Sequence, residues 1–217
     1  MSRRHLVVLD VDSTFIAAEQ IDLLAQHAGV GPEVAAITER AMAGELDFAA
    51  ALRERVAALA GLPATVLTEV RAQIRLNPGA AELIGELHRR QWPVGLVSGG
   101  FHEIIDPLAA EHRITRVRAN RLMIDDDGHL TGQVRGPIVD RAAKESFLRT
   151  FAAEEGIDMS RTVAIGDGAN DLDMVIAAGV GVGFRPKPAL AQRADLVLTE
   201  SLTQVLPHLT GAPASTP

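Results

Sequence analysis

LVVLDVDST, residues 6–14, runs four consecutive apolar residues into two aspartates two positions apart and then into two hydroxyl side chains. An uninterrupted apolar run this short reads as a strand buried on both faces, the pattern of a central strand in a parallel sheet. Side chains alternate along a strand, so Asp10 and Asp12 share one side and Val11 points away from them. Carboxylates that close repel each other, and something bound at the strand end has to relieve the repulsion.

The same apolar pattern returns at VGLV (94–97), TVAIG (162–166), VGVGF (180–184) and DLVL (195–198). Between these runs lie helical patterns of crossover length: FIAAEQIDLLAQHA, PGAAELIGELHRRQ, DRAAKESFLRTFAAEEG and NDLDMVIAAG. The alternation predicts an α/β fold, an open, mostly parallel Rossmann-like sheet with helices on both faces. Two regions interrupt it. Residues 30–76 carry only helical patterns, too much chain for a loop, and predict a small helical cap spanning 17–76 beside a core made of 1–16 and 77–217. NRLMIDDDGHLTGQVRG predicts a β-hairpin insertion over 120–136, turning at Asp-Gly. Asp125, Asp126 and Asp127 read as turn residues, because a calcium loop needs further oxygen ligands and a closing glutamate that this segment lacks.

Composition narrows the function. Of 217 residues 47% are apolar, which suits a packed core, but only 3% are aromatic, too few for base-stacking platforms. The formal net charge of −7 offers no broad surface for a phosphate backbone, and the local arginines 113, 116, 118 and 121 read as a solvated face. Cysteine is absent, which removes disulfides and thiolate chemistry. Asp10 cuts the first apolar run short of a signal peptide, and no stretch reaches membrane-spanning length. A cytoplasmic protein that binds a small molecule, neither nucleic acid nor membrane, is expected, as a monomer or homodimer.

Ligands of open parallel sheets collect at the carboxyl ends of the strands. Asp10 and Asp12 end the first, Ser98-Gly99-Gly100 the second, and GDGAND, with Asp167, Asn170 and Asp171, follows the third. Lys144 lies in the helix leading into that third strand. Singly, each has an ordinary structural explanation: a turn, a glycine loop, a helix cap, a snorkelling lysine. Together they compose phosphoryl transfer: carboxylates for a hard divalent cation such as Mg2+, glycine amides opening a helix for an anion, a lysine charge, and a nucleophile. Asp10, continuing the strand, is the more rigidly aimed of the pair and is read as nucleophile, with Asp12 as general acid and base.

Arg55 follows Phe48 and Leu52 at helical spacing within an apolar stripe, where a charge needs a partner. Likewise Ile16, Glu19 and Leu23 share one face of the first helix, which puts Glu19 on the side that packs. Two readings stand for Glu19 and Arg55: a salt bridge to each other, or a grip on the ammonium and carboxylate ends of a zwitterion.

Together DVDST (10–14), EQID (19–22), GELDFAAALRERV (44–56), the proline and glycine of NPGA (77–80), VSGGF (97–101), ANRL (119–122), LTG (130–132), AAK (142–144) and GDGANDLDM (166–174) resemble the haloacid dehalogenase-like hydrolases over about Leu6 to Leu206. The cap segment and ANRL resemble the members acting on O-phospho-L-serine. The resemblance implies that Asp10 is phosphorylated and that Asp12 is the acid/base, its main-chain carbonyl also binding Mg2+. It implies that Asp167 is a direct metal ligand and Asp171 a supporting carboxylate. Ser98, Gly99 and Lys144 would meet the phosphoryl group with Asn170 close by; Glu19 would meet the substrate ammonium and Arg55 its carboxylate, and Met42 and Phe48 would close the cap. The usual middle residue of the first motif is larger than Val11, a packing difference. Alternatives are another small phosphorylated amino acid or alcohol as substrate, phosphoryl transfer to an acceptor such as homoserine, and a non-catalytic binding protein on the same fold.

Overall fold

The computed structural model describes residues 4–42 and 45–209, without the side chain of Met42, so the expected contact of Met42 lies outside the described residues. Seven strands form one sheet: β1 (Leu6–Leu9), β2 (Val94–Phe101), β3 (Arg116–Ile124), β4 (Leu130–Arg135), β5 (Thr162–Gly166), β6 (Val180–Phe184) and β7 (Leu196–Leu198). Their spatial order is β4-β3-β2-β1-β5-β6-β7, and every neighbouring pair is parallel except the β3–β4 hairpin.

The all-apolar character of β1 follows from this position. Val7 and Leu9 join one apolar cluster with Leu96 and Ile165, while Leu6 and Val8 join a second with Val97 and Ala164. Helices cover both clusters. In chain order they are α1 (Gln20–Ala28), α2 (Gly31–Met42), α3 (Phe48–Ala57), α4 (Thr65–Gln73), α5 (Ala80–Arg89), α6 (His102–Glu111), α7 (Arg141–Glu154), α8 (Leu172–Ala177) and α9 (Pro188–Ala191). Leu83 and Leu87 of α5 and Ile104 and Ile105 of α6 pack on the first face; Leu148 and Phe151 of α7, Met174 of α8 and Leu190 of α9 pack on the second. Leu24, Leu52, Val56 and Val70, from α1, α3 and α4, continue the first cluster beyond the sheet edge. No helix among the described residues is long and apolar enough to cross a membrane.

The structure corrects four local readings. The first helix begins at Gln20, because residues 11–15 are spent on a tight turn closed by Ile16 N donating to Val11 O at 2.9 Å. Strand β2 runs through both glycines to Phe101, so the glycines end a strand and do not open α6. Strand β3 starts four residues before the expected hairpin, and its first half pairs parallel with β2. The arginines there are not simply solvated: Arg116 pairs with Glu155, and Arg118 lies 5.3 Å from the centre of the Phe151 ring.

Register brings the chemistry together. Leu9 is paired with Leu96 on one side and Ile165 on the other, so residues 10, 98 and 167 emerge from three adjacent strands at one sheet edge. The turn after β1 holds Ser13 in the left-handed region (φ 57°), unfavourable for a residue with a side chain. Asn77, 4% exposed, pins it: the two N–H groups of Nδ2 serve the carbonyls of Ser13, Thr14 and Ile16 at 3.1, 2.9 and 2.9 Å. Asn77→Ala leaves those buried carbonyls short of donors, and a stability loss of about 1–3 kcal/mol is expected in urea unfolding. An unchanged urea midpoint would mean that the turn is held by other contacts.

Candidate active site

The carboxyl edge of β1, β2 and β5 opens into a cavity of about 720 Å³. Asp10, Asp12, Gly99, Gly100, Asp167 and Asn170 line the sheet side, and Glu19, Asp22, Phe48 and Arg55 the side formed by the helices of 20–57.

Asp10 is fixed by its backbone, whose N–H donates to Ile165 O at 2.9 Å. Its Oδ1 accepts from Val11 N at 2.7 Å and lies 2.8 Å from Lys144 Nζ. Lys144, fully buried on α7, donates at 2.7 Å to Asp171 Oδ1 as well. Asp171 Oδ2 accepts from the backbone N–H groups of Asp167 and Gly168, both at 3.0 Å. That approach explains Gly166: a Cβ there would lie 2.4 Å from the Asp171 carboxyl carbon. Oxygens of Asp10, Asp167 and Asp171 all lie within 4.8 Å of one another. Asp10 Oδ2 and Asp167 Oδ1 receive no donor among the described residues. A buried, oxygen-only donor set with lone pairs to spare fits a hard divalent cation.

The electrostatics follow from crowding. Burial first, then the charge of Asp171, push the Asp10 carboxyl above its ordinary range, against the pull of Lys144. Burial opposes the charge on Lys144, but Asp10 and Asp171 outweigh it and hold the ammonium above its usual range. Burial likewise raises Asp167, while Lys187, 3.3 Å away, lowers it. Asp12 is pushed up to about 8, by burial and then by Glu19, against the hydrogen bond that Gln20 Nε2 donates to its Oδ1 at 2.6 Å.

Ser98 is buried, and its Oγ accepts from Gly100 N at 2.9 Å, leaving the hydroxyl hydrogen free to aim elsewhere. The Gly100 amide is therefore engaged and is not the open anion donor that the motif alone implies. A Cβ at Gly100 would lie 2.4 Å from Gln20 Nε2, and one at Gly99 3.0 Å from Phe48 Cζ, so side chains crowd both glycines. Asn120 locks this strand end, donating to Gly99 O at 2.8 Å and accepting from Val139 N at 2.9 Å.

Glu19 faces the cavity for a reason other than helix periodicity. It is extended and immediately precedes α1, and its Oε1 accepts from Ser13 Oγ at 2.6 Å. Arg55 lies in α3, its Nε donating to Ala51 O at 3.2 Å. No carboxylate among the described residues lies within 4.0 Å of it, so the alternative of a direct Glu19–Arg55 salt bridge is absent. Burial lowers its pKa, with Asp22 and then Glu19 acting the other way.

Sequence reasoning passed over Gln20, Asp22, Asn77, Asn120 and Lys187, and left Ser13 without a role. Gln20 and Asp22 sit inside the quoted EQID segment and Asn120 inside ANRL; Asn77 and Lys187 act across long chain separations that no local pattern marks.

The sequence profile of the haloacid dehalogenase-like hydrolases matches residues 7–175. The chain belongs to this family. Among curated relatives, it is 54% identical over 197 residues to the phosphoserine phosphatase of Streptococcus thermophilus, covering 91% of each chain. It is 52% identical to phosphoserine phosphatase SerB2 of Mycobacterium tuberculosis, over 96% of this chain and 51% of that protein, so it spans about half of that relative. Among solved structures it resembles a substrate-bound phosphoserine phosphatase complex, with TM-score 0.90 and 38% identity over 96% of this chain and 100% of that one. It also resembles a phospho-aspartyl intermediate analogue of phosphoserine phosphatase, with TM-score 0.88 and 38% identity over 95% and 99% of the two chains.

In protein kept free of divalent cations, the Asp12 carboxyl is expected to titrate near pH 8, four units above an ordinary aspartate, and so to be protonated at neutral pH. Carbon NMR of the labelled aspartates checks this; a midpoint near 4 would show that water reaches the carboxyl freely.

Proposed function

We propose that this hydrolase cleaves O-phospho-L-serine to L-serine and phosphate through a phosphorylated Asp10, with Mg2+ as cofactor. One observation carries the reading: a carboxylate with one oxygen clamped and the other free lies in the same cavity as an unpaired, partly buried guanidinium. The resemblance to phosphoserine phosphatases over nearly the whole chain supports the substrate.

In this mechanism Val11 N and Lys144 hold Asp10 Oδ1, so Oδ2 attacks phosphorus and the bond from phosphorus to the seryl oxygen breaks. Asp12, protonated, gives its proton to that oxygen as it leaves. Water then attacks the acyl phosphate, Asp12 takes the proton back, the bond between phosphorus and Oδ2 breaks, and phosphate departs from a regenerated carboxylate. Lys144 and the Ser98 hydroxyl, with the Gly99 main chain, neutralise the phosphoryl oxygens. Asp10, Asp167 and the main-chain carbonyl of Asp12 would hold the Mg2+, with Asp171 supporting them; when bound, the cation offsets charge on the phosphoryl oxygens. Arg55 grips the carboxylate of the amino acid bidentately and Glu19 its ammonium. Phe48, over Gly99, shields the site, and the helices of 17–76 act as the cap that excludes water.

Steady-state assays on phosphoserine, phosphothreonine, phosphohomoserine and a sugar phosphate test the reading. Phosphoserine should give the highest kcat/KM, chelation should abolish turnover and Mg2+ should restore it. Arg55→Ala should cost phosphoserine about 1.5–3 kcal/mol, roughly 10- to 150-fold in kcat/KM, and a sugar phosphate far less. Preference for an ester without an ammonium group, or equal losses on both substrates, would contradict the roles of Glu19 and Arg55.

A further inference from the structure

Two lysines bracket the acidic cluster. Lys144 closes it from the buried side and is part of the proposed chemistry. Lys187 approaches from the open side: its Nζ lies 3.3 Å from Asp167 Oδ2, while two-thirds of its side chain remains in solvent. Its backbone is anchored to the same residue, Lys187 N donating to Asp167 O at 2.8 Å, just before Pro188 opens α9. The preceding Arg185 holds a positive φ of 44°, with its side chain tied to Thr199 O at 2.9 Å. The loop thus delivers an ammonium to the carboxylate of the cluster that lines the cavity and has no partner in Lys144. Asp171 is fully engaged by Lys144 and two backbone N–H groups, while Asp10 has its Oδ1 held by Val11 and Lys144 and its Oδ2 open.

We infer that Lys187 is a positioning residue that occupies the open side of the cluster as a counter-charge and weakens the affinity of Asp167 for a divalent cation. This rests on the reading of Asp10, Asp167 and Asp171 as a cation site. The physics is competition: an ammonium and a divalent cation are drawn to the same carboxylate and repel each other. The ammonium is tethered, so it is always at hand when the cation leaves. It keeps three buried carboxylates from facing one another with a single counter-charge. The chain therefore tolerates the metal-free state at the expense of affinity in the metal-bound one.

The test compares the wild type with Lys187→Met, which keeps the stem and loses the charge, and Lys187→Arg, which keeps the charge. Mn2+ binding is followed by the loss of its free electron-spin signal, and thermal unfolding is recorded with chelator and with saturating Mg2+. Lys187→Met should bind Mn2+ about five-fold more tightly or better, should unfold earlier than the wild type in chelator, and should gain more from Mg2+. Lys187→Arg should stay close to the wild type in all three. Unchanged or weaker Mn2+ binding by Lys187→Met, in protein whose unfolding remains cooperative, would overturn the inference and leave the cation site standing. A wild type that binds no Mn2+ would overturn the cation site itself, and the role of Lys187 with it.

Discussion

The ammonium of Lys144 sits 2.8 Å from Asp10 and 2.7 Å from Asp171, and all three residues are buried. Removing Lys144 would leave two buried carboxylates without a counter-charge, an error far costlier than the pairing is worth as a stabilising contact. This arrangement makes the strand order matter. Asp10 comes from β1, Asp171 follows β5, and Lys144 rises from α7 on the second face of the sheet; only a parallel pairing of β1 with β5 puts them together. The buried triad is therefore both a constraint on the fold and the means of holding Asp10 Oδ1 still while leaving Oδ2 free.

Around that fixed point the site divides by strand. β2 supplies Ser98 and the glycines, crowded by Gln20 and Phe48 and locked by Asn120. β5 supplies Asp167 and, through Gly166, the space for Asp171 to reach back to the backbone. The extended position before α1 supplies Glu19 and α3 supplies Arg55, and neither meets these strand-end groups directly. In the proposed reaction the substrate itself joins the two halves, its phosphoryl group at the sheet and its amino-acid end at the helices.

The fold was legible in the sequence because a central parallel strand announces itself: LVVL and TVAIG have the same bounds in the structure as in the apolar pattern. The site residues at strand ends were legible for a related reason, since a polar cluster closing an apolar run is a local signal. What failed was periodicity carried across a turn. The spacing of Ile16, Glu19 and Leu23 looked helical, but the chain is extended at Ile16 and Glu19. Asn77 pins that turn at Ser13 across 64 residues of chain, too far for any local pattern to register. The arginines of β3 misled in the same way: a strand that leaves the core sheet for a hairpin mixes apolar and charged residues, and its first half was read as surface.

The account stands on Asp10 Oδ2 as the atom that receives the phosphoryl group. Rapid mixing with O-phospho-L-serine and Mg2+, acid quenching within the first turnover and peptide mass spectrometry locate that group directly. A transient phosphoryl adduct is expected on the peptide carrying residues 6–14, assigned by fragmentation to Asp10 and lost on a second, longer incubation. Burst-free turnover with no adduct at any quench time, or an adduct on Ser13 or Thr14, would contradict it.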